Sequence, residues 1–365
     1  MRLKRTIAFA AAAAAAVSLA ACSAEKPAEQ AEATATTEAG APAEGGAEGE
    51  VVTVITHGSF NVPDELKEAF EKESGYKLEI QERGDAGELT NALALSKDAP
   101  LGDAFFGVDN TFASRLVDEG VVADVGIMLP TGAGAFAVED APGLAPIDMG
   151  DVCINADKKW FAENNVAIPA TFEDLAKPEY KDKLVVMNPA SSSPGLSFLL
   201  ATVSHFGKDG YLNYWKQLKD NGVKVTSGWS EAFEADFSAG EGKGAYPLML
   251  SYSSSPSYFV NDEGTEAAVA NLDQTCFRQV EYAGVLTNAK NAAGGKAFVE
   301  WLLTTPVQES IPDNMYMYPT SSEAKLPEAL TKFGPLAAKP EFVSPAEIGA
   351  HRNEWIEAWT EAMSK

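Results

Sequence analysis

An α/β fold of two lobes, joined where the chain crosses twice between them, is what the sequence predicts, and three observations lead there. From residue 51 onward, β-rich runs alternate with segments of helical period in the order strand, helix, strand, helix, which implies a parallel sheet. A fresh strand and helix unit begins after the apolar segment Ile147 to Ala156, and a second apolar run, Gln279 to Leu286, leads back. A chain of 365 residues with 45% hydrophobic side chains is large and apolar enough for two cores.

The first residues lie outside that pattern. Met1 to Ala21 opens with Arg2, Lys4 and Arg5, continues as an apolar stretch and reaches Leu19-Ala20-Ala21-Cys22, which reads as a secretory signal rather than a membrane span. Small residues ahead of a cysteine resemble a lipoprotein signal, with Cys22 lipidated as the mature N-terminus; the alternative is an ordinary cleaved signal with a chance cysteine. Residues 22–50 are mostly Ala, Glu, Pro, Thr and Gly with no aromatic side chain, too little apolar surface to offset ordering entropy, so an acidic disordered tether is expected. The formal charge of -25 argues against nucleic acid and anionic lipid headgroups as partners, since either would need a basic face. It is compatible with a cationic small ligand or simply with a solvated acidic surface.

Val51 to Thr56 is the first strand and ends at His57-Gly58. Pro63 to Ser74 has Leu66, Ala69 and Phe70 at helical spacing, acids in its first turn and Gly75 beyond its end. Tyr76 to Gln81 is a strand, Gly87 to Ser96 a helix, and Ala104 to Val108 a third strand delivering Asp109-Asn110 at its carboxyl end. That edge of an open α/β sheet faces a ligand crevice, so Asp109 is a candidate ligand contact; it is equally a candidate N-cap for a helix from Thr111 to Glu119. The crossing strand Val152 to Asn155 follows, then helix Phe172 to Ala176, strand Lys183 to Met187 and an apolar helix from about Leu196 to His205. Ahead of that helix, Ser191, Ser192, Ser193 and Gly195 offer hydroxyls and free amides, either an anion cradle or plain capping.

Aromatic rings and hydroxyls concentrate between Thr226 and Tyr258. Trp229 opens an expected helix, Ser230 to Phe237, with Ser230 as N-cap, and Tyr252 ends the apolar strand Ala245 to Tyr252. Rings at a helix start and a strand end can face one cleft; each alone is as readily corner packing. After the return strand, Lys290 to Leu303 is a helix, Ile311 to Pro319 a loop carrying Tyr316 and Tyr318 toward the cleft, and Pro345 to Met363 a terminal helix whose Trp355 and Trp359 belong to the core. Cys153 and Cys276, in an oxidising compartment, form either a disulfide, the preferred reading, or two separate buried thiols. The three histidines are far apart and no metal, nucleotide-loop or nucleophile-elbow motif occurs, so neither metal binding nor enzymatic chemistry is expected.

Six short segments resemble, in order, the thiamine-binding proteins of bacterial ABC importers: Val108-Asp109-Asn110, Ser192-Ser193-Pro194-Gly195-Leu196, Gly228-Trp229-Ser230-Glu231-Ala232, Leu250-Ser251-Tyr252, Ser255-Pro256-Ser257-Tyr258 and Met317-Tyr318-Pro319. The resemblance implies a two-lobed type II periplasmic-binding-protein fold, with lobe 1 from 51–147 and 283–319, lobe 2 from 148–282, a hinge of two crossing strands, and C-terminal helices in 320–365. It implies no enzyme and no cofactor, but an extracytoplasmic, membrane-tethered monomer that captures thiamine between its lobes for an ABC permease, with thiamine phosphates as a further candidate. The binding residues so implied are His57, Asp109, Ser192, Ser193, Gly195, Trp229, Tyr252, Tyr258 and Tyr316. The chain departs from the family where His57 and Tyr316 stand for Tyr and Trp, Phe233 for Tyr, and Ala190 for an Arg in the serine loop, which removes a phosphate contact. A same-fold binder of ferric iron or a polyamine, or a surface lipoprotein without transport function, are the alternatives.

Overall fold

The computed structural model describes residues 49–364, which belong to one compact unit. The expected signal segment, Cys22 and the tether up to residue 48 lie outside the described residues. The strands are β1 (Val51–Thr56), β2 (Lys77–Glu82), β3 (Ala104–Asp109), β4 (Val122–Ala123), β5 (Ala145–Asp157), β6 (Leu184–Met187), β7 (Lys224–Thr226), β8 (Leu248–Tyr252), β9 (Val269–Leu286) and β10 (Tyr318–Pro319). They run side by side in the order β2-β1-β3-β9-β5-β8-β6-β7, with β4 on β9 and β10 on β5. β1 is parallel to β2 and β3, as the alternation of strand and helix requires, and β6 is parallel to β7 and β8 in the second lobe.

The long antiparallel strands β5 and β9 join the lobes. Ala145 lies opposite Ala283 beside the first lobe's strands, whereas Ala156 lies opposite Ala270 beside β8. Each strand therefore belongs to both lobes. Strand alternation divides the first lobe's apolar residues between its two faces: Val54 and Phe106 pack with Phe298 and Leu302, and Ile55 and Phe105 pack in the other core. The return strand is longer than its apolar run suggested, because pairing along β5, not sequence pattern, extends it to Val269. Cys153 of β5 and Cys276 of β9 are joined, with an S–S distance of 2.02 Å, beside a register shift between Val152 and Ile154.

Three local expectations are corrected. The helix foreseen at Leu196 to His205 spans Ser193–Asp220, interrupted at Gly207 (φ 70°), because Tyr211, Tyr214, Trp215 and Leu218 give its second half a buried face. Ser230 is not an N-cap: Trp229–Glu231 forms a single turn that follows Gly228 and runs into a wider turn, Ala232–Asp236, with no side-chain cap. The loop foreseen from Ile311 begins only at Tyr316, since Thr305–Met315 is helical with Pro312 inside it.

The C-terminal helix, Pro345–Ser364, buries Ile348, Trp355 and Trp359. Trp359 meets Trp215 of the second lobe edge-on at 5.4 Å, and the Arg352 guanidinium donates to the Phe112 carbonyl beside β3 at 3.4 Å. This helix thus contacts both lobes.

Candidate functional site

A cleft of about 550 Å³ opens between the lobes at the carboxyl ends of β1 and β8. His57, Ser193, Trp229, Tyr252, Tyr258 and Tyr316 line it, so six of the expected binding residues converge although up to 259 positions separate them. His57 follows β1 directly. Its ring packs over Gly107, whose φ of 100° and lack of a side chain make the approach possible: a Cβ there would stand 2.0 Å from the imidazole Cδ2.

The rings are held as much as they are presented. Trp229 stacks on Phe233 at 4.7 Å with planes 11° apart, and its indole N–H donates to Ser251 Oγ at 3.0 Å. One indole face is thereby covered. The Tyr252 hydroxyl donates to Gln279 Oε1 at 3.2 Å, and that of Tyr258 to the Pro312 carbonyl. Tyr258 and Tyr316 meet edge-on at 4.2 Å, Tyr316 being left-handed at φ 60° as it ends its helix. Burial, and then the Glu281 charge, raise the Tyr252 pKa well above its ordinary value, and burial raises that of Tyr258.

Asp109 does not face the cleft. It is fully buried, and Oδ1 accepts from the Thr111 amide and hydroxyl at 3.2 and 2.7 Å. It is not the helix cap either, since that helix starts at Ala113 after Phe112. Ser192 is likewise buried and accepts from the Gly195 amide at 3.5 Å, while Gly195 lets its helix approach β6, where a Cβ would lie 2.6 Å from the Met187 carbonyl. Of the serine loop, Ser193 lines the cleft; its hydroxyl accepts from Gln279 Nε2 at 3.1 Å.

Two acids missing from the sequence reading define the site's charge. Glu281 lines the cleft with Oε1 3.3 Å from His57 Nε2 and accepts from Gln279 Nε2 at 3.2 Å. Burial pulls the His57 pKa down, but Glu281, with Asp85 and Asp109 adding to it, outweighs burial and the net direction is up. Opposing that charge, the Ser59 amide donates to His57 Nδ1 at 3.1 Å, which favours the neutral ring with its proton on Nε2. Asp85, at the start of helix Ala86–Leu95, reaches across the lobes: Oδ2 accepts from the Trp229 amide at 3.2 Å and Oδ1 from the Ser193 amide at 3.4 Å. The expected anion cradle is therefore occupied by a carboxylate. A charged residue inside an apolar strand was the available signal for Glu281; for Asp85 it was an N-cap residue at a strand's carboxyl end.

Residues 100–336 match the sequence profile of the bacterial extracellular solute-binding proteins, which is more than half of the chain. The chain belongs to this family. Among relatives of this solute-binding protein, the thiamine-binding periplasmic protein of Escherichia coli (strain K12) is 29% identical over 326 residues, covering 86% of this chain and 94% of that one. A solved periplasmic thiamin binding protein superimposes with a TM-score of 0.76 at 26% identity over 87% of this chain and 97% of its own. The ferric binding protein from Campylobacter jejuni shares the fold, with a TM-score of 0.66 at 17% identity over 85% and 99% of the two chains. The type II fold and non-enzymatic class of this solute-binding protein agree with the sequence reading.

Proposed function

We propose that this solute-binding protein captures thiamine in the interlobe cleft. The supporting observation is the cleft's lining: Asp85, Glu241 and Glu281 contribute carboxylates, His57 is the one basic side chain, and among the described lining residues none is Lys or Arg. Trp229, Tyr252 and Tyr258 add aromatic surface. A permanently cationic thiazolium fits this combination through charge and cation–π attraction, the latter worth about 0.5–2 kcal/mol per ring, while an aminopyrimidine stacks on a further ring. The relatives named for thiamine supply independent support.

Titration calorimetry of the purified protein with thiamine tests the reading, and saturable binding is expected. Trp229→Ala should remove most of the accompanying change in tryptophan fluorescence and weaken binding roughly tenfold. Full signal and affinity in that variant would make Trp229 a packing residue.

Delivery to an ABC permease, action as a monomer and tethering through a lipid on Cys22 complete the proposal. Among the described residues no helix is long and apolar enough to cross a membrane. Mass spectrometry of the protein purified from membranes would detect diacylglycerol on Cys22. Ferric iron is the less favoured ligand: Tyr252 and Tyr258 have raised pKa values and donate their hydroxyl protons to protein acceptors, whereas iron requires phenolates.

A further inference from the structure

Three carboxylates stand in one row across the sheet beneath the cleft. Glu281 of β9 is the cross-strand partner of Asp109 on β3 and of Asp148 on β5. Side chains at paired positions share a face, so the three acids lie side by side, and like charges so placed repel. All three are buried, and among the described residues no hydrogen-bond donor reaches either oxygen of Asp148 or Oδ2 of Asp109. Glu281 lines the cleft, so this row touches the ligand space at its middle member.

The groups facing the row do not neutralise it. His57, beyond β1, is 3.3 Å from Glu281; Asp85 approaches from the start of its helix, Tyr252 from β8 and Tyr282 from β9. Arg352 of the C-terminal helix acts on Asp109 from outside, although its guanidinium is spent on the Phe112 carbonyl. Burial, and then Glu281, push the Asp148 pKa well up, and burial raises that of Asp109 to about 7. Burying three like charges beside one histidine is costly unless a further positive charge lies near them.

We infer that Asp148 and Asp109 are specificity-determining residues that act through Glu281: the row holds a shared proton when the cleft is empty, and a permanently cationic ligand displaces it. The ligand's positive charge takes the proton's place beside Glu281, the row ionises, and the proton passes to solvent. A neutral ligand cannot do this, so the row favours fixed cations. The inference rests on the thiamine reading and deepens it. Asp148 and Asp109 touch no ligand; they position charge.

Calorimetry of the full chain with thiamine in two buffers of different ionisation enthalpy, at about pH 6.5 and pH 8 where thiamine's own charge is constant, reads the displaced proton. A release of part of one proton per thiamine is expected at the lower pH, with affinity rising several-fold toward the higher. Asp148→Asn should still bind thiamine, release less proton and show a flatter pH profile, which loss of structure alone would not produce. The infrared spectrum of ligand-free wild type should also contain a protonated buried-carboxyl band at neutral pH, and this measurement needs no variant. Equal heats in both buffers with pH-independent affinity, or no such band, would overturn the inference while leaving thiamine binding in place. No thiamine binding at either pH would overturn the function, and proton displacement with it, whatever the infrared shows.

Discussion

At the scale of single residues, Asp109 carries a testable consequence of burial. Its carboxyl pKa is raised from 3.8 to about 7, chiefly by desolvation, against the hydrogen bonds from Thr111, with Glu281 adding to the rise. Because the folded value lies above the unfolded one, Asp109's contribution to stability is complete below about pH 3.8 and disappears as pH rises through about 7. Asp109→Asn keeps the acceptor for Thr111 and removes the titration. Its thermal midpoint should fall less than the wild type's between about pH 5 and 8, with an advantage on the order of 1 kcal/mol at the upper end. Parallel curves would show that the carboxyl ionises without penalty. The sequence suggested a functional Asp109 from its strand-end position; it did not reveal that the bulge at Gly107 sets Asp109 opposite Glu281, facing a buried row rather than the cleft.

At the scale of elements, the pair of crossing strands is the most consequential. β5 and β9 are tied by the Cys153–Cys276 bond, which closes a loop spanning 123 positions. In the chain-entropy account a loop of that length is worth about 4–5 kcal/mol, so replacing both cysteines by serine should lower the unfolding free energy by about 2–5 kcal/mol. Denaturant melts of the double variant check this. Peptide mapping without reductant should recover fragments of the two strands linked. An unchanged melt would mean that ladder pairing alone sets the stability of the crossing. Part of each strand was legible as an apolar run, whereas their full lengths follow from each other's presence.

At the scale of the whole molecule, the lobes meet through backbone and charge. The Gly87 amide donates to the Ser191 carbonyl at 3.1 Å, and Asp85 accepts from the amides of Ser193 and Trp229. The C-terminal helix adds contacts to both lobes from outside the cleft. With Asp85 at the start of the Ser193–Asp220 helix, and Ala190 in the preceding loop, a phosphate on the ligand would meet a carboxylate where an anion site was expected. Thiamine should therefore bind roughly tenfold or more tightly than thiamine monophosphate. Asp85→Asn should narrow that ratio even if both affinities fall with the weakened interlobe contact. Equal binding of the two ligands by the wild type would show that Asp85 moves aside.

The sequence by itself determined the elements whose signals are local: the opening alternation of strand and helix, the acids and the terminating Gly75 of the first helix, and the aromatic positions that converge on the cleft. Periodicity, turn chemistry and the preference of large rings for a half-buried surface act over a few residues, so they can be read from the chain. Tertiary structure decided which polar residues share a space. Glu281 meets His57, Asp109 and Asp148 through strand register, and Asp85 meets Ser193 and Trp229 through the approach of two lobes. Charge, desolvation and hydrogen bonding depend on distances between residues remote in sequence, and these exist only once the two lobes are folded against each other.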